Sequence, residues 1–177
     1  MSLLKETALI IGNLCSLLAM ITDSVSATRK TAKGVLWVQT LSQLIYGFGA
    51  FVLGGYSGTA QNFVSILRNL VAIYHIGNRY IEWFLMGLGV VLGLSFNNLG
   101  LIGLLPVVAS FQYTVAIFRF KDNPRLLKLS LIISSSMFAL FNLAIYNITG
   151  MLTNSVIAII AACNLNRFQN DRKEESP

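Results

Sequence analysis

Charge is what this 177-residue sequence has least of: 11% of residues are Asp, Glu, Lys or Arg, against about 25% in an ordinary soluble domain. That scarcity, with a mean hydropathy of +0.68 and 55% apolar residues, excludes a soluble globule. Histidine occurs once, at His75, and cysteine twice, at Cys15 and Cys163. No second His, Cys or carboxylate stands at ligand spacing from His75, which excludes a metal site, and both cysteines fall inside apolar runs as packing thiols. No nucleophile, base and orienting group can be assembled, so an enzyme and a cofactor are not expected. Basic residues outnumber acidic ones 13 to 7, yet they sit in short gaps between apolar runs. A nucleic-acid binder gathers them on one folded surface, so nucleic acid is not an expected partner.

Long uncharged runs are what the sequence does have. Sixteen residues separate Glu6 from Asp23, 34 separate Lys33 from Arg68, 36 separate Glu82 from Arg119 and 38 separate Lys128 from Arg167. A helix needs about 20 residues to cross about 30 Å of hydrocarbon, so each of the last three runs holds nearly two spans. Turn signals lie near their middles, at Gly54-Gly55-Tyr56-Ser57-Gly58, Asn97-Asn98-Leu99-Gly100 and Tyr146-Asn147-Ile148-Thr149-Gly150. The expected fold is an all-α integral membrane protein of seven helices, over 6–26, 35–55, 59–76, 81–97, 101–120, 126–147 and 151–168. A membrane β-barrel is excluded because the runs do not alternate.

Arg29, Lys30, Lys33, Arg79, Arg119, Lys121, Arg125, Lys128, Arg167, Arg172 and Lys173 fall on one side of such a layout and Lys5 alone on the other. The positive-inside rule then places the N-terminus outside and the C-terminus in the cytosol. The first span is not read as a signal peptide, because Glu6 cancels Lys5 and the basic flank follows the apolar run. Residues 169–177 are expected to be a solvated, disordered cytosolic tail. The sequon Asn147-Ile148-Thr149 falls on the outer face and would mean nothing were the protein bacterial. Gly87, Gly89 and Gly93 follow no strand, so they read as helix packing and not as a phosphate loop.

Sliding the sequence by 92 places Ser42 on Ser134, Tyr46 on Phe138, Gly58 on Gly150, Asn62 on Asn154 and Val64 on Val156 without a gap. Helices two and three therefore repeat as six and seven, and helix one pairs with five. The predicted organisation is 1–78 as a first three-helix repeat, 79–98 as a linker span, 99–168 as a second repeat and 169–177 as the tail. An odd linker helix makes the repeats parallel, the arrangement that builds a solute site at their interface.

This three-plus-one-plus-three pattern resembles the SWEET and PQ-loop (MtN3-like) class of sugar and metabolite facilitators. In that class each half supplies an Asn from its third helix, an aromatic about sixteen positions earlier and a small polar residue four before that. Ser42, Tyr46 and Asn62 have this spacing, and Ser134, Phe138 and Asn154 repeat it. The resemblance implies a solute pocket lined by these six residues and a hinge at Pro106; the usual Trp at the aromatic positions and the proline of the first helix are missing. In Leu104-Leu105-Pro106-Val107, Ile66-Leu67-Arg68, Asn164 and Arg167-Phe168 the chain is similar to the YgjV type of bacterial inner-membrane protein.

Amides at Asn62 and Asn154 both donate and accept toward a hydroxylated solute, although polar side chains between membrane helices also serve as packing glue. Arg68 is the one charge well inside a span, and burying it costs about 2.5 kcal/mol or more, so it is expected in an ion pair with Asp23, near the inner end of helix one, as a gate or an anionic-substrate contact; the competing reading is that it snorkels toward the cytosolic headgroups. Asn13, Gln43, Asn69, Gln112, Asn142 and Asn164 suggest a wet interior. The leading expectation is a uniport facilitator of a small polar, sugar-like solute in the inner membrane, uncoupled because no carboxylate lies near the midplane. The competing one is a scaffold or receptor that moves nothing. The partners expected of the facilitator are the solute and the lipid bilayer, and association with a second copy stays open.

Overall fold

The computed structural model describes residues 3–26, 29, 32–76, 78–120 and 123–174. Seven α-helices follow one another: α1 Leu3–Ser26, α2 Ala32–Val52, α3 Tyr56–Ile73, α4 Arg79–Ser95, α5 Leu105–Arg119, α6 Pro124–Ala144 and α7 Ile148–Glu174. A 3-10 turn, Ile102–Leu104, leads into α5, and no strand occurs among the described residues. Lys30 and Lys121 lie outside the described residues, as do the side chains of Asn164, Arg167, Phe168, Arg172 and Lys173. α7 continues to Glu174, past residue 168 where the sequence ends it.

Two of these helices, over Leu3–Val25 and Arg125–Ala144, are long and apolar enough to cross a membrane, each with a mean hydropathy of 1.7. Ile102–Ala116 and Ile148–Cys163 are shorter apolar helices. The expectation of seven clear spans is thus too generous, for a physical reason. α4 has only 17 residues, and α3 carries Gln61, Asn62, Ser65, Arg68 and Asn69 along 18.

Those polar residues point inward. Gln61 is 2% exposed, and Ser16, Ser42, Ser57, Ser134, Ser135, Asn69, Asn142 and Asn147 are buried with it. Leu4, Leu18, Leu44, Phe48, Phe84, Leu140 and Ile159 lie on the outside. Soluble monomers rarely expose contiguous apolar surface on this scale, so the distribution suits a surrounding that is itself apolar.

Six helices pack in the cyclic order α1, α2, α3, α5, α6, α7, with α7 returning to α1, and α4 lies outside against α3 and α5. Within that ring the offset of 92 reappears in the backbone. α2 becomes α6 at both ends, and α3 and α7 begin at Tyr56 and Ile148. Leu53, Gly54 and Gly55 donate to Gly49, Phe51 and Ala50, and Ile145, Tyr146 and Asn147 donate to Phe141, Leu143 and Asn142.

Side chains fasten each seam. Asn13 on α1 donates to the Tyr146 carbonyl (3.1 Å) and accepts from the Thr149 N–H (3.0 Å), so it caps the start of α7. Gln112 and Ser130 bond α5 to α6 reciprocally. Gln61 donates to the Gly89 carbonyl at 2.8 Å, which holds α4 on α3. Gly93 faces the same contact, where a Cβ would stand 2.5 Å from the Gln61 amide nitrogen, whereas Gly87 faces open space.

Candidate functional site

A cavity of about 240 Å³ opens at the centre of the ring, and all six ring helices line it. Small-molecule pockets run from about 300 to 1,000 Å³, so this one suits a solute at the small end. Of the residues singled out in the sequence, Asn62, Asn154, Tyr46, Phe138, Ser134, Arg68 and Asp23 line it. Ser42 is fully buried behind the wall and reaches the cavity through Asp23, whose carboxylate accepts its hydroxyl proton. Pro106 is buried away from it, as the second residue of α5. There it has no N–H for the Ile102 carbonyl, which accepts from Leu105 in a 3-10 bond instead.

The two asparagines are held identically. Asn62 Nδ2 donates to the Gly58 carbonyl at 3.0 Å and Asn154 Nδ2 to the Gly150 carbonyl at 2.9 Å, one turn back in each helix. Each back-bond fixes its side chain and leaves the amide oxygen to accept from whatever occupies the cavity. Ser134 donates to the Leu131 carbonyl at 3.2 Å, whereas Ser42, 2.9 Å from the Gln39 carbonyl, has a single hydroxyl proton that the Asp23 carboxylate also claims.

Arg68 and Asp23 share the cavity wall but take different partners. Arg68 donates to Thr114 Oγ1 at 3.3 Å and Ser65 Oγ at 3.5 Å, tying α3 to α5, while Asp23 is held by Ser42. Asp23 lies near the end of α1, as the sequence places it, three residues before Ser26. From there its carboxylate reaches Ser42, the midpoint of Ala32–Val52, about 15 Å from either end of α2.

Sequence reasoning missed the strongest polar cluster on the wall. Asn147 is 2% exposed; its amide donates to Ser16 Oγ at 2.7 Å and to Asn142 Oδ1 at 3.0 Å, while its oxygen accepts the Gly150 N–H at 2.9 Å and caps α7. Such an asparagine is closed to any modifying enzyme, which disposes of the sequon. At the matching place in the other half stands Gly55, and α3 has no side-chain cap. Phe141, 2% exposed, covers Gly55 and Gly58 there; a Cβ on Gly58 would meet its ring at 2.5 Å. Where one half is polar, the other is filled by a ring. The offset of 92 pairs Asn147 with Gly55 and Phe141 with Gly49, so a search for identities passes over them.

An apolar exterior around a polar, ring-enclosed cavity is the surface of a protein immersed in lipid. A family profile described as bacterial inner membrane protein, Imp-YgjV, matches residues 10–172. The chain belongs to the Imp-YgjV family. Its location is therefore the bacterial inner membrane, in accord with the all-helical fold. No curated protein and no solved structure matches the chain. The Imp-YgjV match spans the whole ring, from early α1 through most of α7, so it covers every residue of the cavity wall.

Proposed function

We propose that this Imp-YgjV protein carries a small polar solute across the inner membrane by alternating access. Two parallel three-helix units, α1 to α3 and α5 to α7, rock about the central cavity, and α4 is the linker that lets the second unit enter the membrane in the same sense as the first. The N-terminus faces outward and the basic loops face the cytosol. The observation that carries the reading is the pair Asn62 and Asn154, 92 residues apart, each clamped by its own helix with its oxygen left to the same cavity. Packing glue would spend the amide nitrogen on neighbouring helices, as Asn147 does toward Ser16 on α1 and Asn142 on α6.

The cross-unit seams also favour this reading. α1 packs on α7 and α5 packs on α3, so the first helix of each unit leans on the third of the other. Any tilt that opens one seam acts on its counterpart too, which is how rocking exposes a central site to one side at a time.

Counterflow in proteoliposomes tests the proposal. Vesicles loaded with unlabelled sugars, amino acids, nucleosides or vitamins are expected to accumulate the labelled form of at least one of them, and Asn62→Ala with Asn154→Ala to abolish it while the protein stays folded. No flux for any class, with correctly inserted protein, would favour a scaffold or receptor.

A further inference from the structure

One stretch of the cavity wall is made of hydrogen-bond donors around a fixed positive charge. Ser65 and Arg68 stand three residues apart on α3, and Ser110, Tyr113 and Thr114 recur at helical spacing on α5, which packs against it. Arg68, Ser65, Ser110 and Tyr113 all line the cavity. The guanidinium donates to Thr114 Oγ1 at 3.3 Å and to Ser65 Oγ at 3.5 Å. Ser65 lies one turn back from Arg68, next to the midpoint of Tyr56–Ile73, and Thr114 lies two residues past the midpoint of Leu105–Arg119. The side chain thus turns toward the middle of α3 and away from its nearer end, the opposite of snorkelling to the headgroups.

That setting leaves the cation short of a counter-charge. Arginine has five N–H donors and keeps its proton, yet its partners among the described residues are two neutral hydroxyls at the outer edge of hydrogen-bond range. One of them, Thr114 Oγ1, gives its own proton to the Ser110 carbonyl at 2.7 Å. Asp23, the other charge on the wall, does not fill the gap: it accepts from Ser42 and has a further interaction of its own, and it forms no ion pair with Arg68. Uncommitted donors stand beside the guanidinium instead. Ser65 Oγ accepts from Arg68 and keeps its proton to give, and the hydroxyls of Ser110 and Tyr113 have no partner among the described residues. A neutral solute would add one more neutral acceptor and leave the charge unanswered, at a cost that grows as water leaves the closing cavity.

We infer that the cavity binds a small organic acid as its carboxylate, with the anion on Arg68 and on the hydroxyls of Ser65, Ser110 and Tyr113. The planar fork of a guanidinium donates two parallel bonds to a carboxylate, which accounts for Arg in place of Lys. Elsewhere on the wall the Asn62 and Asn154 oxygens accept, so the rest of the molecule carries O–H groups, as a hydroxy acid does. The volume of about 240 Å³ keeps that acid small. The inference rests on the transport reading and narrows its polar solute to an anion.

The test uses the full chain purified in detergent, at neutral pH and constant ionic strength, with thermal unfolding as the readout, since a ligand of the folded state raises the midpoint by mass action. Acetate, pyruvate, lactate, glycerate and gluconate are titrated beside glycerol, glucose and a nucleoside, with chloride and phosphate as simple-ion controls. Each acid that stabilises is then compared with its own amide, which has nearly the same shape and no charge, and with the 2-amino acid of the same skeleton. We expect at least one hydroxy acid to bind, and its amide to bind the wild-type protein roughly tenfold more weakly, the scale of one charge-assisted bond; this comparison needs no variant to fold. Arg68→Gln is expected to erase the preference for acid over amide, and Ser110→Ala and Tyr113→Phe each to weaken the acid more than the amide. An amide that binds as tightly as its acid, or stabilisation by the neutral compounds with no acid effective, would overturn the anion and leave transport standing. An equal shift from chloride or phosphate would overturn the organic acid, as would an amino acid that binds more tightly than its hydroxy acid. Failure of every compound to stabilise would overturn the inference as well; counterflow of a neutral solute would then keep the transport reading, and absence of counterflow would end both.

Discussion

Gly54 and Tyr146, 92 residues apart, both hold a left-handed backbone, with φ of +77° and +59°. Each ends the hairpin between the second and third helices of its half. Glycine takes that conformation freely, whereas an L-residue pays about 1–2 kcal/mol. Tyr146 is 70% exposed, so little packing offsets the strain. Tyr146→Gly is expected to raise the thermal midpoint by a few degrees, at about 2–4 °C per kcal/mol for a chain of this size. Gly54→Tyr should lower it similarly, and differential scanning fluorimetry reads both.

A methyl group at Gly58 would fall on the Phe141 ring. Gly58→Ala is therefore expected to destabilise by about 1–3 kcal/mol, the usual range for overpacking. Phe141→Leu in the same chain should recover most of the loss, and recovery of less than half would show that the clash is not the cause.

Removing Asn147 strips a cap from α7 and two bonds from the cavity wall. Loss of such a cap costs about 0.5–2 kcal/mol. Asn147→Ala should consequently lower the midpoint more than Asn62→Ala, whose side chain bonds only its own helix. In exchange assays the order should reverse, with Asn62→Ala the more damaging.

Uniport is expected because no carboxylate was placed near the midplane, and Asp23, which reaches Ser42 at the midpoint of α2, is the residue on which that expectation turns. Counterflow should run at equal pH on both sides, and an imposed pH gradient should drive no accumulation. Uphill uptake that follows the gradient and vanishes in Asp23→Asn would make the residue a proton carrier instead.

The uncharged runs carried the helices and their turns into view, and the offset of 92 carried the equivalence of α2 with α6. Depth and boundaries were harder to read. The sequence starts helix three at residue 59, after all the glycines of its turn signal, but α3 begins at Tyr56 and encloses Gly58. Gly58 serves there as a seat for Phe141, a residue 83 positions away that no local pattern reveals. Asp23 stands near the end of α1 in the sequence and in the structure alike, and only its bond to Ser42 shows that the carboxylate reaches the middle of α2. The clustering of Asn13, Ser16, Asn142 and Asn147 depends likewise on α1 meeting α7.

The outward apolar coat and the inward polar wall are made by different side chains on the same helices, and this separates two kinds of engineering. Leu4, Leu18, Leu44, Phe48, Leu140 and Ile159 can be exchanged for Glu, Lys or Gln without touching a single hydrogen bond of the ring. A water-soluble analogue designed that way would keep the pocket intact and offer it to ligands in plain buffer, where detergent no longer competes.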